Sequence, residues 1–170
     1  MRSNIRRWHP MALALGAALA MGTGPVTKAD DPHGASPAPL EGTWRVQVST
    51  HDCTSGALLL SFPAMLTFAR GGTMTGTTAA PVFKPGQRSP DHGVWRQIGR
   101  RQFRAVSEAF ILFDSPPPPL PLVKGVQRIT QSIQVDGGSQ FSSDADVEFF
   151  DSAGTVVANL CATAVGTRFE

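Results

Sequence analysis

The chain has 170 residues, of which 41% are hydrophobic and 16% are charged, and its formal net charge is +2 at pH 7. Its length suits one domain with a single buried core. It contains no nucleotide-binding loop, metal-ligand cluster or nucleophile elbow, so no motif names a catalytic chemistry. We therefore expect no cofactor and no metal.

The first 29 residues predict an export signal. A basic start precedes an apolar run at residues 11–21, which is shorter than the ~20 residues that cross a bilayer. Small residues then offer cleavage sites that end at Ala20 or Ala29. Removal of residues 1–29 leaves 11 basic and 13 acidic residues, so the mature chain is mildly acidic. We predict a secreted or periplasmic protein with no nucleic-acid partner and no membrane span after cleavage.

The remaining chain predicts an all-β domain. Residues 30–39 are rich in proline and have no periodicity, which indicates a flexible lead-in to a folded domain at 40–170. From there, apolar residues recur at every second position, and no window keeps helical spacing for long. We predict a single eight-stranded antiparallel up-and-down barrel. The strands lie at residues 44–48, 62–68, 73–78, 94–98, 103–113, 126–135, 141–149 and 155–169.

The fifth predicted strand differs from the others because it is apolar on both faces. Phe103 and Ile111 share one face, whereas Val106, Phe110 and Leu112 share the other. Successive side chains of a strand point to opposite sides. We therefore expect this strand to be buried on both sides.

The connections at the two ends of the predicted barrel differ in length. Alternate turns of an up-and-down meander fall on opposite ends. The three turns of one end are short and suit tight hairpins: residues 70–72, 99–101 and 136–139. The other end carries the long connections 50–61, 79–92 and 114–124 beside the short turn 151–154. This layout predicts one plain end and one mouth whose long loops receive a ligand.

The two ends of the domain carry a second pattern. Gly42-Thr43-Trp44 opens the first strand, and Arg168 ends the last. This pattern resembles the calycin group of lipocalins, fatty-acid-binding proteins and avidins, although no Thr-Asp-Tyr turn is recognisable. The resemblance implies that Gly42, Trp44 and Arg168 have a structural role at the closed end. There the cation would pack on the indole, a contact worth about 0.5 to 2 kcal/mol. The allene oxide cyclase-like barrels, some of which are cyclases of small apolar substrates, are the rival family.

The two cysteines lie in the first and last strand regions. In an exported chain, Cys53 and Cys161 predict one disulfide across the seam where the barrel closes. The alternative is a free thiol at Cys53 beside His51 and Asp52. Adjacent residues on an extended chain point to opposite faces, which disfavours a catalytic pair between them.

A few polar residues are candidates for a site. Asp91 and His92 on the long loop 79–92, together with His51, are candidate ligand-binding residues of the rim; Asp91-His92 is alternatively an ordinary turn. Glu108 lies mid-strand, four residues after Arg104. A buried carboxylate there would have a raised pKa suited to acid or base work, whereas an outward one would pair with arginine. Glu108 and His92 are therefore the catalytic candidates, and neither is assigned.

One segment is of low complexity. Residues 115–121 contain a run of prolines, which predicts a stiff polyproline II stretch at the mouth with Leu120 as an apolar contact residue. It is either a lid edge or partner-binding strip, or a rigid connection.

Three functions are consistent with this barrel. The first, favoured by the one-sided long loops and the aromatic inward faces, is non-catalytic binding of a small apolar or amphipathic ligand at the mouth. The second is a cyclase or isomerase of the allene oxide cyclase-like type, acting through Glu108 or His92. The third is a surface interaction module that uses the proline-rich loop. No motif identifies the ligand or the oligomeric state.

Overall fold

The computed structural model describes residues 39–114 and 122–169. Outside the described residues lie the predicted signal peptide and most of the lead-in, which together are residues 1–38, and the proline segment with Leu120. Within the described ranges, no helix is long and apolar enough to cross a membrane.

Eight antiparallel strands form a closed barrel in which each strand pairs with its neighbours in sequence and β1 pairs with β8. This confirms the all-β prediction. The strands are β1 (Gly42–His51), β2 (Leu58–Phe68), β3 (Thr73–Thr78), β4 (Asp91–Gln97), β5 (Gln102–Ile111), β6 (Gly125–Asp136), β7 (Gln140–Asp151) and β8 (Val156–Arg168).

The seam between β1 and β8 is held by backbone pairing and by one covalent bond. Trp44 lies opposite Arg168 at one end of the pairing, and His51 lies opposite Cys161 at the other. Just beyond β1, Cys53 forms a disulfide with Cys161, with 5.0 Å between the two Cα atoms. The disulfide expected from the cysteine positions is therefore present.

The plain end of the barrel is filled by large side chains. Trp44, Phe68, Phe103 and Phe141 are almost completely buried there. The rings of Trp44 and Phe141 meet edge to face, with 5.1 Å between their centroids. Gly166 makes room for this packing, because a Cβ atom at that position would lie 2.1 Å from Cε1 of Phe141. This end is a packed core and not a pore.

Arg168 covers the outer side of that core. Its Cζ atom lies 4.4 Å from the centroid of the Trp44 ring. Its Nε donates to the carbonyl oxygen of Gly138 at 2.8 Å, and its Nη atoms donate to the carbonyl oxygens of Glu41 and Pro39. The Trp44 Nε1 in turn donates to Leu40 O at 2.9 Å. The guanidinium therefore ties the last strand to the segment that leads into the first.

The other end is covered by apolar residues from the long connections. Phe83, in the β3–β4 connection, and Phe113 and Leu122, in the β5–β6 connection, pack against Ile111 and Phe149 of the strands. The rings of Phe83 and Phe113 meet edge to face at 6.2 Å. Two apolar layers thus bound the interior, one at each end.

The prediction that β5 is buried on both sides is wrong. Phe103 and Ile111 are buried, but Phe110 is 63% exposed and Leu112 is 54% exposed. The described barrel is a single sheet closed on itself, so only the inner face of a strand has a core to pack against.

We expect Arg168→Ala to lower the free energy of unfolding by about 2 to 4 kcal/mol. It removes the cation over Trp44 and leaves three carbonyl oxygens without their donor. Arg45→Ala is the matched control, because the Cζ atom of exposed Arg45 lies 4.5 Å from the ring centroid of Phe169, and Arg45 has no comparable set of hydrogen bonds to the described residues. Urea unfolding should show a loss below about 1 kcal/mol for the control; equal losses would contradict the structural role of Arg168.

Removal of the disulfide by a double Cys53→Ser, Cys161→Ser change should also destabilise the barrel. The bond closes a loop with a sequence separation of 108 residues. In the chain-entropy model, such a loop is worth about 4 to 5 kcal/mol, with measured values often lower. Unfolding by urea with and without a reducing agent tests this. The double variant must be insensitive to the reductant, whereas reductant must destabilise the wild-type protein.

Candidate functional site

A cavity of about 100 Å³ lies inside the barrel. Its apolar wall is formed mainly by inward-facing strand residues, among them Val46, Val48, Leu66, Ile129, Val147 and Leu160. The volume is well above the roughly 10 to 15 Å³ that holds one water molecule and below the roughly 150 Å³ of a cavity that accepts benzene. The space therefore suits a molecule of a few non-hydrogen atoms.

Three polar side chains form one wall of this cavity. Arg88 and Asp91 make an ion pair with 2.6 Å between Nη2 and Oδ1, and their side chains are only 5% and 6% exposed. Arg88 Nε also donates to Oε1 of Gln127 at 2.6 Å. Gln127 is buried and lines the cavity with them. We call Arg88, Asp91 and Gln127 the polar wall.

The β3–β4 connection places Arg88 inside the barrel. Its backbone forms an isolated bridge with Ile111 at the end of β5. Ser89 N donates to Phe110 O at 3.0 Å, and Leu112 N donates to Gln87 O at 2.9 Å. This connection therefore continues the sheet for a short distance and turns the Arg88 side chain into the interior.

Gly76 on β3 leaves the space that Asp91 occupies. Gly76 faces inward, and a Cβ atom there would lie 2.7 Å from Oδ2 of Asp91 and 2.6 Å from Cδ2 of Leu66. Any larger residue would push against the carboxylate. This packing explains why β3, which is otherwise rich in threonine, has a glycine at position 76.

Other polar residues line the cavity beside the polar wall. Oδ1 of Asp91 is buried and lies 2.6 Å from Nη2 of Arg88, so the guanidinium compensates its charge. Gln131 and Ser143 are also buried and line the cavity. The interior can therefore bind a molecule that is mostly apolar but has a polar group.

The structure separates the predicted pair Asp91 and His92. Both belong to β4 and not to the loop before it, so their side chains point to opposite sides of the sheet. Asp91 is buried at the cavity, whereas His92 is exposed on the outer face. His92 lies opposite Glu108 in the strand pairing.

Glu108 also lies on the outer face. Its partner is Arg128 and not Arg104, with 2.6 Å between Oε1 and Nη2. The register explains this choice, because Glu108 is directly opposite Arg128 across β5 and β6. With its side chain 47% exposed, Glu108 does not reach the cavity.

The residues next to Cys53 in the sequence form a turn at the surface. His51 faces outward, with Nε2 at 3.4 Å from Oγ1 of Thr163. Asp52 accepts hydrogen bonds from the backbone N–H groups of Ser55 and Thr54 and from the Ser55 hydroxyl. These hydrogen bonds lower the pKa of Asp52 below its ordinary value, and the bond from the Ser55 backbone has the largest effect. With Cys53 in a disulfide, no free thiol is present here.

Arg88 and Gln127 are site residues that the sequence analysis missed. Arg88 stands in a loop with prolines and a glycine, where an arginine ordinarily indicates a solvated turn. Gln127 is one of several glutamines on β6, and only the alternation of the strand marks it as inward-facing. No local motif distinguishes either residue.

Comparison with known proteins gives no family for this chain. No family model matches the sequence, and no curated protein matches it. Among solved structures, the chain is similar to EF1p2_mFAP2b bound to DFHBI, with 18% sequence identity and a TM-score of 0.49. The match covers 77% of this chain and 94% of that chain. We draw no conclusion about function from a likeness of this size.

Two ion pairs of equal length allow a direct test of the polar wall. Arg88→Met should cost about 3 to 5 kcal/mol in stability, because it leaves Asp91 charged, buried and unpaired. Arg128→Met removes the same type of partner from exposed Glu108 and should cost less than about 1 kcal/mol. Urea unfolding measures the loss of stability in both variants. Equal losses would mean that water reaches the Arg88–Asp91 pair.

Proposed function

We propose that this protein is an exported barrel that binds a small apolar or amphipathic molecule in its interior without transforming it. The observation that carries the proposal is the cavity of about 100 Å³ between the two apolar layers, with the polar wall on one side. Pockets for small ligands have this composition: mainly apolar walls and a few converging polar groups.

The position of the cavity supports binding in the part of the barrel nearer the mouth. The plain end is occupied by aromatic side chains, so the interior space lies above them. Phe83 and Arg88 of the β3–β4 connection line the cavity. A ligand would therefore enter past this connection, in keeping with the long loops that the sequence places at this end.

The placement of the acid–base candidates favours binding over catalysis. His92 and Glu108 lie on the outer face of the barrel, away from the cavity. Asp91, the carboxylate that does line the cavity, is held by Arg88 at 2.6 Å. The carboxylate at the cavity is therefore already engaged in an ion pair.

The disulfide supports export. A bond between Cys53 and Cys161 is compatible with an oxidising compartment, such as the periplasm or the cell exterior. The N-terminal segment predicted as a signal peptide would direct the chain there. We propose cleavage near Ala20 or Ala29, which N-terminal sequencing of the exported protein would locate.

Native mass spectrometry of the protein purified from the periplasm tests the binding function. We expect a co-purifying small molecule that is lost after organic extraction. Ala164→Leu adds three carbon atoms to the cavity wall and should abolish the bound mass. Val165→Leu on the same strand is the control, because Val165 is 58% exposed on the outer face and its change should leave the mass in place. A barrel that never carries a small molecule, even after incubation with candidate ligands, would contradict the proposal.

A further inference from the structure

We propose that the outer face of the β4–β5 hairpin binds an anionic lipid surface. This face lies at the plain end of the barrel, so the proposal is independent of the cavity and of the ligand proposed for it. It follows from a group of exposed arginines, from the charge balance around them and from the apolar side chains beside them.

Four arginines lie close together on this hairpin. Arg96 of β4 and Arg104 of β5 are directly opposite each other in the strand pairing, and both are exposed. Arg100 and Arg101, which are also exposed, lie in the turn that joins the two strands. We call these four residues the arginine patch. Like charges directly opposite each other in a sheet are destabilising, so the packing of the barrel gives no reason for this pair.

The positive charge of the patch is not compensated by its described neighbours. Neither of the two ion pairs among the described residues includes an arginine of the patch. On β6, the nearest outward positions are Ser132, opposite Arg104, and Gln134, and both are uncharged. The predicted mature chain has 11 basic and 13 acidic residues, so this face differs in sign from the chain as a whole. Because salt screens charges beyond about 10 Å, a negatively charged partner is attracted to this face in particular.

Exposed aliphatic side chains flank the arginines. Val94 and Ile98 lie two residues before and two residues after Arg96, and they are 61% and 54% exposed. Ile98 N donates to Gln102 O at 2.9 Å, so the pairing of the two strands continues as far as the turn. Apolar and basic side chains therefore alternate along one outer face. This composition suits the interface of a bilayer, where cations meet anionic headgroups and apolar side chains enter the acyl boundary.

The same composition favours lipid over a protein or a nucleic acid. Trp95 and Phe103, the aromatic residues next to Arg96 and Arg104 in the sequence, are buried in the barrel. The patch therefore has no aromatic side chain from these positions on which bases could stack or around which a protein interface could form. Lipids move within the bilayer and can bring their phosphates to arginines of any spacing, whereas a rigid partner must match that spacing.

Co-sedimentation with vesicles tests the proposal on the protein purified from the periplasm. One set of vesicles contains phosphatidylcholine alone, and the other contains equal parts of phosphatidylcholine and phosphatidylglycerol. Each basic side chain near an anionic surface strengthens binding about fivefold. We therefore expect binding to the mixed vesicles to be at least tenfold tighter than to phosphatidylcholine and to weaken as salt is added. Equal binding to both sets, or binding to neither, would overturn the proposal.

Two double variants with the same change in net charge test the location of the contact. Arg96→Gln with Arg104→Gln should weaken binding to the mixed vesicles at least tenfold. Lys84→Gln with Lys124→Gln is the control, because both lysines are exposed on the long connections of the opposite end, and it should weaken binding less than about threefold. Equal losses would mean that binding follows net charge, which would overturn the assignment to this face.

A variant in the turn makes the test independent of the strands. Arg100→Gln with Arg101→Gln should also weaken binding at least tenfold. Urea unfolding should show no loss of stability in either patch variant, because these side chains form no ion pair with the described residues. Full binding by this turn variant would overturn the arginine patch as the contact surface.

The aliphatic residues have a test of their own. Ile98→Ser should weaken binding to the mixed vesicles severalfold, because it removes an apolar group that enters the acyl boundary. Val165→Ser is the control, because Val165 is 58% exposed on β8, outside the patch, and its change should leave the affinity as it is. The same affinity in Ile98→Ser as in the wild-type protein would overturn the apolar part of the contact.

Competition with soluble polyanions separates lipid from other acidic partners. Poly-glutamate stands for an acidic protein segment, and heparin stands for an acidic polysaccharide or a nucleic acid. We expect either polymer to displace the protein from mixed vesicles only when its charge is in large excess over that of the lipid. Displacement at equal charge would overturn lipid as the partner. No result of these experiments changes the test of the cavity, which depends on a co-purifying small molecule.

Discussion

The pairing of β1 with β8 is the constraint on which the rest of the structure depends. It turns a meander with two open edges into a closed barrel, so that alternate side chains of every strand face one shared interior. The seam is fastened at the plain end by Arg168 over Trp44 and near the mouth by the disulfide between Cys53 and Cys161. Opening this seam would expose the aromatic layer and the cavity at the same time.

Closure also gives the two faces of the sheet different environments for an ion pair. Inside the barrel, which is packed at one end and covered by Phe83 and Phe113 at the other, the side chains of Arg88 and Asp91 are only 5% and 6% exposed. In such a place an ion pair persists only if each charge has its partner in good geometry. Arg88 and Asp91 meet that condition, whereas the pair of Arg128 and Glu108 on the outside is screened by solvent. The same chemistry thus has different consequences on the two faces of one sheet.

Alternation of apolar and polar residues was sufficient to predict the eight strands and the lengths of most of their connections. It failed at β5, where apolar residues on both faces suggested burial on both sides, because a pattern within one strand does not reveal how many layers the fold contains. It also placed Asp91 and His92 in a loop, although β4 begins at Asp91. Strand ends are decided by pairing with neighbours, here with Thr75 and Gly76 of β3, and not by the strand's own residues.

The sequence by itself determined the all-β class, the plain and elaborate ends and the disulfide, because these follow from period-two patterning, turn length and the positions of the two cysteines. The contact of Arg168 with Trp44 was implied by the resemblance to the calycin group. Only the tertiary structure decided which polar residues share the interior. Arg88 and Asp91 are three residues apart, but Gln127 lies on a strand distant in sequence, and its meeting with them depends on the register of β4, β5 and β6. A shift of one residue would turn their strands' side chains outward, and no local pattern records that register.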